Sequence, residues 1–299
     1  MDLWIYATVA AAFFQTLRFM LQKRLAQSSL NAMGATFARF IYALPFAGIG
    51  VAAFLWGQSQ PMPVMTAQFW GFAALGGTAQ ILATLCVVHL FAMRSFAIGI
   101  TLKKTETLQT AAVGMLLLGE GVAPLGWVAI AIGSCAVVSL GAPAGGAGWR
   151  AGLLSRSAGI GLLSGALFAV SGVSYRGASL ALPLDAPALR AAVTLTAVLI
   201  LQAAAMCLWL LWRDPAQLQA VWRARRVAVW VGVTSLLGSL GWFTAFTLQN
   251  AALVNALGQI ELLFSMLVTW FVFHERLSAR ELFGMMLLLG SVFLIIFAI

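Results

Sequence analysis

Charge is scarce in this sequence. Only 8% of its 299 residues are Asp, Glu, Lys or Arg, against about 25% in an ordinary soluble domain. A soluble globule of this length could not cover its surface with so few charges, which excludes a cytosolic enzyme, a secreted disulfide scaffold and a disordered chain. Acids are rarer than bases, eight against 17, and the formal net charge is +9. No long basic loop or motif exists to hold a nucleic acid, so the excess is read as a topology signal. The three cysteines, Cys86, Cys135 and Cys207, lie in apolar runs and cannot all pair, so they are read as small buried side chains. Enzyme motifs are missing too. His274-Glu275-Arg276-Leu277-Ser278 begins like a zinc-binding HExxH but ends in Ser, and no P-loop occurs. No catalytic residue, metal or cofactor is expected, and the chain is read as a non-enzyme.

Apolar residues make up 62% of the chain, and mean hydropathy is +0.99. Crossing roughly 30 Å of hydrocarbon takes about 20 apolar residues in a helix. That window selects ten segments: 3–21, 32–56, 68–91, 96–118, 122–140, 158–180, 188–212, 227–248, 251–273 and 282–298. The runs are long and do not alternate, which fits helices and not barrel strands. The opening, Asp2 followed by Leu3–Leu21, has no basic leader or cleavage site and is expected to remain as the first helix. Connections are short, so any activity must sit within the bundle. Lys23, Arg24, Arg94, Arg150, Arg156, Arg213, Arg223, Arg225, Arg226, Arg276 and Arg280 all follow odd-numbered segments. The positive-inside rule then puts those loops in the cytoplasm and both termini on the other side.

A shift of 155 residues superimposes the two halves. Between 97–120 and 252–275 the pairs Ala97/Ala252, Leu102/Leu257, Glu106/Glu261, Leu108/Leu263, Val113/Val268 and Glu120/Glu275 are identical. Two glutamates recurring at one spacing carry weight in a chain so poor in acids. The expected domains are five-helix repeats over 1–145 and 155–299. An odd number of helices per repeat inverts the second copy, and two inverted halves around a central site suit alternating access. The fold class is therefore an all-α polytopic membrane protein of ten transmembrane helices in two inverted five-helix repeats. A duplication that merely built a larger bundle is the alternative.

Each half ends in a helix, a Glu just past it, and a Gly-rich last helix: Leu116-Leu117-Leu118-Gly119-Glu120, and Phe271-Val272-Phe273-His274-Glu275. With ten short-looped helices in a 5+5 duplication, the chain resembles the drug/metabolite transporter superfamily, specifically its EamA-like family. The resemblance covers essentially the whole chain. It implies a secondary carrier, often an exporter of amino acids, metabolites or drugs, driven by protons or solute gradients. Lys103-Lys104 beside Glu106 departs from the family pattern. The expected location is a bacterial inner membrane.

An ionisable group inside the membrane calls for a partner or a cavity. Gln15, Arg18 and Gln22 form one stripe on helix 1, expected to face the bundle centre; Arg18 and Gln22 could instead snorkel to the interface. Lys103 and Glu106 are spaced to pair, leaving Lys104 in need of another counter-charge. The lysines are candidate binders of a carboxylate or phosphate, and a plain Lys–Glu pair is the alternative. Glu261 has no basic residue within one turn and is expected, with Glu106, to couple transport to protons. A bridge to Arg18, Arg39 or Arg176 is the competing reading. Asn255 and Gln259 stand beside Glu261. Arg39 is a candidate anion site or a helix-interface residue, and Trp242 is a candidate stacking partner for the solute. Arg176 is expected to snorkel. Glu120 and Glu275 are expected to cap helices or meet Arg276 and Arg280. The substrate-binding set is thus Gln15, Arg18, Arg39, Lys103, Lys104, Trp242, Asn255 and Gln259, and the proton-coupling pair is Glu106 and Glu261. Expected partners are a small carboxylate-bearing solute such as an amino acid, the lipid bilayer and protons, in a monomer or homodimer without nucleic acid. The runner-up solute is a hydrophobic drug or metabolite. A non-transporting scaffold and an intramembrane lipid enzyme stand further back.

Overall fold

The computed structural model describes residues 2–26, 30–57, 61–90, 102–141, 155–264 and 279–297. Every regular element among them is helical. The helices are α1 (Leu3–Ala26), α2 (Ala32–Gly57), α3 (Ala67–Leu90), α4 (Glu106–Leu118), α5 (Pro124–Gly141), α6 (Arg156–Leu180), α7 (Pro187–Arg213), α8 (Pro215–Arg223), α9 (Arg225–Leu248), α10 (Ala251–Gly258) and α11 (Ala279–Phe297). Six of these, α1, α2, α3, α6, α7 and α9, are long and apolar enough to cross a bilayer, and shorter apolar helices accompany them.

Local sequence explains several of the ends. Pro187 and Pro215 open α7 and α8, where a missing N–H costs nothing. Ser155 caps α6 by accepting from the Ala158 amide at 3.2 Å, and Asn250 caps α10 by accepting from Ala252 at 2.9 Å. Gly119 ends α4 in the left-handed region at φ 67°, where its N–H and that of Glu120 reach back to the Met115 and Gly114 carbonyls.

Two departures from the sequence reading matter. Segment 96–118 does not run as one helix: the helix at 102–103 breaks into a turn at Lys104–Thr105 before α4 begins. Segment 251–273 breaks likewise at Gln259–Ile260, between α10 and a helical turn over 261–264. Residues 96–101 and 265–273 of those segments lie outside the described residues. The two breaks occupy the same position under the 155-residue shift. The polar stretch 213–226, read as a loop, contains the additional helix α8.

Packing is by close approach of small residues, as expected where lipid removes the usual hydrophobic drive between helices. α3 lies on α6, α1 on α9, α5 on α11, and α2 on α7 and α9. A Cβ on Gly241 of α9 would stand 2.7 Å from the Ala7 carbonyl of α1, and one on Gly76 of α3 would stand 2.7 Å from the Tyr175 ring of α6. The free cysteines depart from their reading as buried groups: Cys135 is exposed on the bundle's outer face, and Cys86 and Cys207 are half-buried.

Candidate functional site

The two breaks face each other. α4 contacts α10; α4 packs on α6, and α10 packs on α1 and touches α6. Gly165 of α6 makes room for the first break, since a Cβ there would stand 2.8 Å from the Lys103 carbonyl. Side chains then bridge the gap. Gln259 donates to Thr107 Oγ1 at 2.7 Å and to the Lys104 carbonyl at 3.4 Å. Asn255 donates to Thr110 Oγ1 at 2.8 Å.

The lysines divide between the glutamates. Lys103 Nζ is 2.7 Å from Glu106 Oε2 and lies over the Phe168 ring, 4.6 Å from its centre. Lys104 Nζ is 3.0 Å from Glu261 Oε2, which also accepts from Gln15 Nε2 at 2.9 Å. Gln15 Oε1 in turn accepts from the Trp242 indole at 3.0 Å. Glu261 therefore has a basic partner, contrary to its sequence neighbourhood. That partner is Lys104, and none of the arginines weighed for the role. The counter-charge that Lys104 required is supplied from across the molecule.

A central cavity of about 50 Å3 opens beside this network. Gln15, Arg18, Arg39, Lys103, Glu106, Trp242 and Asn255 all line it; Lys104, Gln259 and Glu261 stand behind that layer. Arg18 is buried, not extended to the interface, and its Nη1 has no hydrogen-bond partner. Arg39 is buried as well and holds only hydroxyls, donating to Ser235 at 2.8 Å and Thr84 at 3.2 Å. Among the described residues no salt bridge involves either arginine. The two guanidinium charges repel one another, while Glu261 attracts Arg18. Such a cavity offers positive charge with too few acids to match it. A space of that size has room for only a few waters.

Sequence reasoning missed the polar residues that complete the walls. Gln202 donates to Gln80 at 2.9 Å and to the Tyr175 hydroxyl at 3.3 Å. Tyr175 stacks on Phe243, and Trp242 on Phe246. Isolated Gln, Ser and Tyr residues in apolar helices carry no spacing signal, so only their convergence in space reveals them.

One end of the bundle is held by a separate cluster. Arg176 does not snorkel: its Nε lies 2.8 Å from both Glu120 oxygens, and its Nη1 donates to the Phe246 and Gln249 carbonyls at 2.7 and 2.8 Å. Asn250 donates to Glu120 at 3.3 Å. Glu120 thus pairs with Arg176, and the side chains of Arg276 and Arg280 lie outside the described residues. Glu275, Arg276 and the remainder of 265–278 lie outside the described residues. Arg176 ties the α4–α5 turn to the end of α9, whose last carbonyls it caps.

This arrangement, broken helices meeting at buried charge, is one transporters use for ion and solute sites. Residues 155–297 match the model of the EamA-like transporter family. Those residues belong to that family, part of the drug/metabolite transporter superfamily. A solved structure described only as "Crystal structure of protein" is one of 25 matching chains. It superposes with a TM-score of 0.66 at 16% identity, covering 96% of this chain and 98% of that one, so the fold is shared. No curated protein matches the chain. With its apolar helices and this family match over residues 155–297, the chain is an integral multi-pass membrane protein.

Proposed function

We propose that the chain is a secondary transporter, an exporter by direction, for a small carboxylate-bearing solute such as an amino acid, working by alternating access between inverted repeats at 1–145 and 155–299. The observation that carries this reading is the pair of buried guanidiniums, Arg18 and Arg39, facing one cavity with no salt bridge to either among the described residues. A carboxylate or similar anion supplies the missing charge, with bidentate geometry available to an arginine. Trp242 and its aromatic neighbours then contact the rest of the solute. The packing supports the repeat: α3 on α6 and α1 on α9 are equivalent contacts under the shift, and the breaks before α4 and after α10 coincide.

Coupling follows from the glutamates. A solute carboxylate approaching Lys103 competes with Glu106 for its ammonium. Once displaced, Glu106 is the proton-coupling group of this reading. Glu261 of the second repeat pairs with Lys104 of the first and forms a corresponding exchange between the repeats. The Arg176–Glu120 cluster closes the non-cytoplasmic side, as the arginine distribution orients the chain.

A second reading, export of a lipophilic solute, is favoured by an apolar cavity of about 350 Å3 among α2, α7 and α9, lined by Phe46, Phe54, Leu195 and Leu240. Proteoliposomes loaded with amino and organic acids, with and without a pH gradient, separate the readings. Saturable flux that loses its pH dependence in Glu261→Gln, with exchange retained, and that falls in Lys103→Ala, supports the carboxylate carrier. Flux of lipophilic solutes alone, unchanged in both variants, overturns it.

A further inference from the structure

The segment that the two-repeat reading leaves unused is α8. It joins α7 to α9, and the equivalent stretch under the shift, around Pro61–Thr66, has no helix. Its surroundings are strongly basic. Arg213, Arg223, Arg225 and Arg226 are all exposed there, against the single acid Asp214, which accepts a hydrogen bond from Asn31 at 3.1 Å. Tryptophans stand among them. Trp212 and Trp222 are 74% and 65% exposed, the Arg213 guanidinium lies over the Trp212 ring at 4.3 Å, and Arg225 lies over Trp222 at 5.2 Å. Exposed indoles beside arginines at the end of two spanning helices belong at the headgroup level of a bilayer.

We infer that α8 and its flanks form a docking surface for the headgroup of an anionic phospholipid, with Arg223, Arg225 and Arg226 on the phosphate and Trp222 at the glycerol level. Charge complementarity selects the lipid: four cations cluster where a membrane surface must lie, and zwitterionic headgroups offer them no net charge. The surface also has a route to the transport site. Asn31, just before α2, donates its backbone N–H to the Gln217 side-chain oxygen at 3.1 Å, and Tyr42 of α2 donates to the Val221 carbonyl at 3.2 Å. α8 is thereby fastened to the helix that carries Arg39. A lipid bound to α8 stabilises that half of α2 on one face of the membrane only, so it biases the two open states unequally. This inference does not depend on which solute is carried.

The test is the melting temperature of the detergent-solubilised full chain, titrated with dioleoyl phosphatidylglycerol, dioleoyl phosphatidylcholine or soluble glycerol phosphate. Phosphatidylglycerol raises it saturably; the other two do not. In Arg223→Gln/Arg226→Gln, which spares the Arg225–Trp222 contact, the half-saturating phosphatidylglycerol concentration rises on the order of tenfold. The Arg223→Lys/Arg226→Lys variant keeps most of the response and controls for folding. Equal shifts with phosphatidylcholine, equal shifts with glycerol phosphate, or an unaltered response in the glutamine variant each overturn the assignment.

Discussion

Replacing Arg176 with Gln releases the cluster that holds α6 to the α4–α5 turn and to the end of α9. The wild-type guanidinium makes two contacts with Glu120 and two short bonds to carbonyls, and its side chain is only 14% exposed. Hydrogen bonds to charged groups contribute about 1.5–3 kcal/mol each. They are not additive, and water entering an opened crevice replaces some of them, so a net loss of about 3 kcal/mol is the working figure. At about 1.4 kcal/mol per decade, that shifts the closed-to-open ratio on this side by roughly 100-fold. The readout is labelling of Ser171→Cys, a cavity-lining position, by a membrane-impermeant maleimide in a background with the native cysteines replaced. Arg176→Gln labels on the order of 100-fold faster than the parent. Glu120→Gln falls between, because the carbonyl bonds of Arg176 survive. Equal labelling rates in folded parent and Arg176→Gln would refute the idea that this cluster closes the cavity.

Further outcomes follow from the same geometry. Lys104→Met removes the ammonium beside buried Glu261 and lowers stability by about 3–5 kcal/mol, while Lys104→Met/Glu261→Gln recovers most of it; thermal melts of the single and double variants give the coupling. Gly165→Ala pushes α6 off the break before α4 and destabilises by about 1–3 kcal/mol, read as a lower melting temperature, whereas Gly159→Ala, with open space around its Cβ, leaves it unchanged. Asn250→Ala loses both the α10 cap and the bond to Glu120, at about 1 kcal/mol in the same melt.

Much of the fold was legible because apolar length is a direct physical requirement of the bilayer. The long helices α2, α3, α6, α7 and α9 fall where their runs of apolar residues fall. The breaks were not legible: Lys104–Thr105 and Gln259–Ile260 contain neither Pro nor a Gly pair, and a 20-residue window averages over two polar residues. α8 escaped for a related reason, being too short and too polar for a window tuned to spanning helices. At the site, the rarity of charge picked out Arg18, Arg39, Lys103 and Glu106, which do meet at one cavity. Partner choice was hidden. Glu261 looked isolated because Lys104 is 157 residues away, and Arg176 looked like an interfacial residue because its partner Glu120 comes from a distant turn. Sequence position gives depth in the membrane, but only packing gives neighbours.

The central claim is that buried arginine charge binds an anionic solute. The most direct test is counterflow in proteoliposomes of a transported amino acid against its uncharged-carboxamide analogue, with wild type and with Arg18→Gln and Arg39→Gln. The account predicts saturable exchange of the carboxylate alone in wild type, lost or weakened at least tenfold in either variant. Equal exchange of acid and amide, unaffected by both substitutions, would contradict it.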